Sequence, residues 1–181
     1  MRLLPSRITS RRLELRSPVP ADAARIAELL GNWNVIRMLG TPPWPYRLAD
    51  AESWLASLAD REAGHQSDHR ALVFGGQLCG AITIERRQRG YTLGYWLGEP
   101  YWGRGLMSEA ALAYVAAVFA AKVGDELVSG ALPENLASLR IQQKLGFERT
   151  GERILPCRPR GMDMPHIDTV LRRERFQVLH P

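Results

Sequence analysis

The stretch Glu99–Ala110, EPYWGRGLMSEA, sets two glycines around one arginine, between an aromatic segment and a run of alanines. The segment before it, GYTLGYWL, has the aromatic and β-branched character of a strand. The residues after it, through about Lys122, read as a helix. A strand thus runs into Gly103 and Gly105, and a helix begins just beyond. The first turn of a helix carries unpaired N–H groups and a partial positive charge. Glycines there let a bulky anion approach the backbone. The stretch therefore reads as a cradle for a phosphate or pyrophosphate; the plain alternative is a strand–helix turn that needs glycine for its torsions.

Upstream, RLELR (Arg12–Arg16) alternates like a half-buried strand, PADAARIAELL reads as a helix ending at Gly31, and NWNVIRML as a second short helix. GTPPWPYR is a loop stiffened by three prolines. LADAESWLASLADREA has helical spacing at Leu48, Ala51, Trp54, Leu55 and Leu58, closed by Gly64. HQSDH reads as a polar loop. RALVF, Gly75–Gly76 and LCGAITIE then read as strand, tight turn and strand. Downstream come a strand (ELVSGAL), a helix (NLASLRIQQKL) with Gly146 placed as its C-terminal cap, and last strands in ERTGERILP and HIDTVLRR. Hairpins precede the glycine motif and helices are unevenly interspersed, so the class is α/β with a mixed sheet.

The length of 181 residues suits one domain, 1–181, with a full core. A hydrophobic share of 45% argues against disorder. The formal charge of +5 favours anionic partners without choosing among them. Lys122 and Lys144 are the only lysines, a bias that also fits genome composition. Cys79 and Cys157 are isolated, which points to a reduced, cytoplasmic protein without a metal site. The start MRLLPSRITSRR lacks the apolar core of a signal peptide. The run AALAYVAAVFAA is too short to span a bilayer, which takes about 20 residues.

Two known glycine motifs compete for the cradle. A P-loop needs GK[ST] after its second glycine, and that is absent. The dinucleotide fingerprint G-x-G-x-x-G is matched at Gly103 and Gly105, with Ser108 in place of the third glycine and Asp125 and Glu126 near the spacing of the ribose-binding acid. That fingerprint normally follows the first strand of a parallel unit, whereas this motif follows hairpins in mid-chain. An NAD(P)-binding oxidoreductase is therefore the runner-up. A basic nucleic-acid-binding or regulatory protein ranks lower, since the arginines are spread among acids with no aromatic-interleaved stripe.

RLELR, NWNVIRMLGTPPWPY, LGYWLGEPYWGRGLMSEA and PENLASLRIQQKLGFERTG together resemble the GNAT superfamily of acyl-CoA-dependent N-acetyltransferases, and within it the RimJ/RimL-like branch of ribosomal-protein N-terminal acetyltransferases. The resemblance implies a mostly antiparallel central sheet with splayed middle strands and helices on both faces. It implies transfer of an acetyl group from acetyl-CoA to a primary amine by direct attack in a ternary complex, with no metal. The superfamily's pyrophosphate signature, Q/R-x-x-G-x-G/A, falls on Trp102–Met107. Gly105 matches, Trp102 replaces Gln or Arg, and Met107 replaces the small residue. By resemblance, the amides of Gly103, Gly105, Leu106, Met107 and Ser108 hold the pyrophosphate, with Arg104 as a phosphate partner. Tyr95, Trp96 and Leu97 border the pantetheine arm, and a backbone N–H near Trp96 or Leu97 polarises the thioester carbonyl. Asn135 reaches pantetheine as well as capping its helix, and Ser138 stabilises or protonates the departing thiolate. The tyrosine that many superfamily members carry seven residues after the Asn is Gln142 here, which leaves Ser138 as the best acid.

For the base, Glu85 ends the strand AITIE and is the first candidate; Glu99 and His166 are others. Acceptor recognition is expected from MLGTPPWPY with Trp44 and Tyr46, from the Gln66–Asp68 loop, and from CRPRGMDMPHID with Arg158, Arg160 and His166. The amine acceptor reads as a peptide N-terminus or a small molecule, and the chain as a monomer or homodimer.

Overall fold

A computed structural model describes residues 3–63, 67–87 and 90–181. Eight strands form one sheet in the order β1-β2-β3-β4-β5-β6-β8-β7. They are β1 Arg7–Thr9, β2 Leu13–Arg16, β3 Ser67–Phe74, β4 Gln77–Arg87, β5 Gly90–Leu97, β6 Glu126–Ala131, β7 Glu148–Cys157 and β8 Met162–Arg172. The helices are α1 Ala23–Leu30, α2 Trp33–Ile36, α3 Leu48–Ala63, α4 Leu106–Ala120, α5 Leu136–Leu145 and α6 Arg173–Leu179. Every strand pairing is antiparallel except β5 with β6.

Neighbouring residues of β3 show how the helices are shared between the two faces. Tyr114 of α4 donates its hydroxyl proton to the Asp68 carboxylate at 3.0 Å, while Trp54 of α3 lies edge-on to His69. Successive strand residues point to opposite faces, so α4 and α3 cover opposite sides. Helix α5 packs beside α4, and α1 beside α3. The core between these layers contains Leu15, Leu72, Ile82, Ile84, Leu106, Tyr114, Leu127 and Leu171, all fully buried.

Three readings of the sequence change. HQSDH is not a loop throughout: Ser67–His69 open β3 and are buried, while His65 and Gln66 lie outside the described residues. Asp68, part of the stretch read as a loop, is buried and paired with Arg70, the first residue of the strand RALVF. Arg70 donates Nε to Asp68 Oδ1 at 2.7 Å, and its third donor reaches the Ser6 carbonyl at 2.8 Å. A buried charge pair whose cation also reaches a backbone carbonyl can sit in an otherwise apolar strand. The strand β1 and the helix α6 also went unread, being short elements in charged sequence.

The smaller features follow expectation. Gly75 and Gly76 turn β3 into β4 with φ of 57° and 79°. Asn135 caps α5 through Oδ1, which accepts from the Ser138 amide at 3.1 Å, and Gly146 closes it in the left-handed region.

Candidate active site

Strands β5 and β6 are paired only at Tyr91↔Leu127 and Thr92↔Val128. Beyond that point they part. The last bridge is a side chain: Ser129 Oγ donates to the Leu93 carbonyl at 2.9 Å. The Leu93 main chain therefore faces β6, and by the alternation of a strand so do those of Tyr95 and Leu97. Trp96 turns its carbonyl to β4 instead, where a Cβ on Gly80 would lie 2.3 Å from it. Of the two amides considered for the carbonyl, that of Leu97 faces the gap.

At the open end of the gap the chain turns through Gly103 and Gly105, both at φ 71°, into α4. Gly105 is the N-cap, and no side chain accepts from the first turn. The first helical amide with a partner is Glu109 N, bonded to the Gly105 carbonyl at 3.1 Å. The amides of Leu106, Met107 and Ser108 are thus left for an anion. The side chains of Leu106 and Met107 are buried, which turns the backbone alone outward. Trp102 folds back instead, donating Nε1 to the Leu97 carbonyl at 2.7 Å and staying 43% exposed.

The turn is braced from the connection between β1 and β2. Glu109 accepts from Ser10 Oγ and from the Arg12 amide and Nε, each at 2.7 Å. Arg12 also donates to the Arg104 carbonyl at 3.0 Å. Burial opposes the charged form of Glu109, but these hydrogen bonds outweigh it and hold the carboxyl below its ordinary value. The Arg104 guanidinium lies over the Phe74 ring, 4.5 Å from its centroid.

On the α5 side of the gap a chain of hydrogen bonds ends on Ser138. Thr169 Oγ1 donates to Gln142 Oε1 at 2.7 Å. Gln142 Nε2 donates to the Gly130 carbonyl at 3.1 Å and to Ser138 Oγ at 3.2 Å. The Gly130 carbonyl only accepts, so the amide orientation is fixed. Tyr95 reaches the same place from β5, with its hydroxyl 3.0 Å from Ser138 Oγ and 3.2 Å from the Ser138 carbonyl. Burial raises the Tyr95 hydroxyl above its ordinary value, and the bonds to Ser138 and Gln142 offset only part of that. The side-chain role of Tyr95 and the positioning role of Gln142 were not read from the sequence, because each needs the partner strand in place.

On the opposite face lies His166. Its Cε1 would be 2.3 Å from a Cβ on Gly130. Asp168 accepts from Nδ1 at 3.0 Å, and Arg153 of β7 holds Asp168 at 2.9 Å. Trp44, its ring tilted against that of Trp33 at 4.9 Å between centroids, and Tyr46 lie in the loop after α2. Burial, with Asp50 nearby, pushes the Tyr46 hydroxyl up to about 12. That loop meets the β7–β8 turn: Arg158 N donates to the Gly40 carbonyl and Arg160 Nε to the Arg37 carbonyl, both at 2.9 Å. Arg160 and Arg37 also pair with Glu134, just past β6. Two of the three segments expected to bind the acceptor are therefore joined near the mouth of the gap. Glu85 is placed elsewhere, opposite Thr92 at the closed end of the gap, and pairs with Arg87. Glu99 accepts from the side-chain amides of Asn32 and Asn34.

A family model described as an acetyltransferase (GNAT) domain matches residues 12–148. The chain belongs to the GNAT acetyltransferase family. A Bacillus subtilis protein named as a ribosomal N-acetyltransferase, YdaF, is 27% identical over 158 residues, 80% of each chain. Among solved structures, Mycobacterium smegmatis RimJ in complex with CoA-disulfide superposes with a TM-score of 0.84 at 17% identity, covering 96% of this chain and 90% of that one. The Vibrio fischeri ribosomal-protein-S5-alanine acetyltransferase gives 0.80 at 17% identity, covering 95% and 99%. The sheet with its parted middle strands is the GNAT fold. Nothing supports the dinucleotide or nucleic-acid readings: the glycine motif follows the fifth strand of a mostly antiparallel sheet, not the first strand of a parallel unit, and Asp125 is paired with Arg173. No helix among the described residues is long and apolar enough to cross a membrane.

Proposed function

We propose that this GNAT acetyltransferase, as a single domain, moves the acetyl group of acetyl-CoA to a primary amine held beside the gap between β5 and β6. The observation that carries the reading is the parting of those strands at Thr92 and Val128, next to an uncapped helix start. Free amides suit a diphosphate, and unpaired strand edges suit the amide-bearing pantetheine arm. When bound, acetyl-CoA supplies an activated acyl group.

The chain's own residues do the rest. The amides of Gly103, Gly105, Leu106, Met107 and Ser108 bind the diphosphate, with Arg104 beside them. Tyr95 presents its main chain and Leu97 its amide to the arm, the Leu97 carbonyl being taken by Trp102, and Asn135 lies at its α5 side. The Leu97 amide stabilises charge on the carbonyl oxygen. Ser138, accepting from Gln142, has its own proton to give to the departing sulfur. The loop bearing Trp44 and Tyr46 meets the acceptor. The relatives named as ribosomal-protein acetyltransferases make a protein N-terminus the first acceptor to try.

A thiol-release screen over N-terminal pentapeptides and small primary amines tests this. Release of coenzyme A that depends on one class of amine is expected. Coenzyme A binding with no amine-dependent release from any of them would refute the reading.

A further inference from the structure

The parted strands leave two faces to Gly130, and different chemistry meets each. Its carbonyl accepts from Gln142, which also donates to Ser138 on the α5 side. Its Cα is covered on the other side by the His166 ring, close enough that a methyl group there would collide with Cε1. The alternation along β8 agrees. Thr169 points to α5, where it bonds Gln142, so His166 and Asp168 point to the opposite face.

The imidazole is also oriented. The Asp168 carboxylate can only accept from Nδ1, so in the neutral ring Nδ1 carries the proton and the lone pair is on Nε2. Arg153 binds both oxygens of Asp168, at 2.9 and 2.8 Å, and fixes it from the β7 side. Among the described residues nothing engages Nε2. The charged groups that β6, β7 and β8 set beside the ring on this face are Asp168 and Arg153, of opposite sign. Glu85, by contrast, stands where the strands are still paired.

We propose that His166 is the general base of the acetyl transfer, with Asp168 and Arg153 as positioning residues. This rests on the acetyl-transfer reading above. The amine nitrogen forms its bond to the acyl carbon as the carbon–sulfur bond breaks. The proton lost by nitrogen goes to His166 Nε2 and on to water. The sulfur takes the Ser138 proton, which water replaces, so the products are the amide and the free thiol. Base and acid thus serve one residue of β6 from opposite faces. The amine enters on the face that carries the β7–β8 turn, and the thiolate leaves on the other.

The test uses the full chain, acetyl-CoA and the amine that the wild type acetylates fastest in the screen. His166→Gln should lower kcat/KM for the amine about 100-fold at pH 7, with the KM for acetyl-CoA and the calorimetric Kd for coenzyme A unchanged. Its rate should then rise about tenfold per pH unit toward the pKa of the amine itself, since only pre-deprotonated amine reacts. Asp168→Asn should show an intermediate loss with the same split. Thermal melts check that both variants fold. A His166→Gln enzyme within twofold of wild type, or one whose loss is the same at every pH, overturns the proposal and leaves acetyl transfer standing. A wild type that binds no coenzyme A overturns both.

Discussion

Ser138→Ala isolates the acid step because the structure makes the change nearly silent elsewhere. The α5 cap uses the Ser138 amide and survives. Gln142 loses one acceptor and keeps the Gly130 carbonyl, and Tyr95 loses one partner and keeps the Ser138 carbonyl. The cost to the fold should stay under about 1 kcal/mol, a fall in Tm of roughly 2–4 °C for a chain of this size. In the proposed mechanism the hydroxyl faces a sulfur that gains negative charge. A hydrogen bond to a charged group contributes about 1.5–3 kcal/mol, and each 1.36 kcal/mol is a factor of ten in rate. The expected loss in kcat is therefore about 10- to 150-fold, with coenzyme A affinity within twofold of wild type. Thiol release measured at saturating acetyl-CoA, beside calorimetric titration of coenzyme A, separates the two. An unchanged kcat with intact binding would remove Ser138 from the chemistry, and an equal loss of binding would make it a contact residue only.

Gly105→Arg should abolish detectable coenzyme A binding in the same titration, since a long side chain enters a left-handed N-cap whose neighbouring amides must reach the diphosphate. The Cys79 thiol, pushed up to about 11 chiefly by burial, should resist iodoacetamide at pH 7.5 and alkylate only in denaturant; rapid labelling of the folded chain would show that β4 opens. Glu109, held below its ordinary value in the folded state, contributes stability that is full above the unfolded value of about 4.3 and is lost as pH falls through the folded one. Glu109→Gln should therefore lower Tm at pH 7 and flatten its fall between pH 5 and 3; parallel Tm curves for the two proteins would contradict that sign.

Much of the cradle is written locally. Gly103 and Gly105 act through their own torsions and the helix they precede, and Asn135 caps a turn three residues away, so a linear reading reaches them. The gap itself depends on where β5 and β6 stop pairing, which is set by register across the sheet and has no local mark. Asp68 looks like a loop residue because it is polar, and only its contact with Arg70 carries the strand read as RALVF back to Ser67. The His166–Asp168 pair is two residues apart on one strand, a spacing that signals a shared face. What hides it is that the face becomes meaningful only when Gly130 lies beneath it and Arg153 arrives from β7.

The account stands most directly on where acetyl-CoA lies. A crystal structure of the complex should show the diphosphate within hydrogen-bond distance of the amides from Gly103 to Ser108, and the thioester carbonyl in the gap facing the Leu97 amide. A diphosphate bound away from that turn, or an acyl group outside the space between β5 and β6, would contradict it.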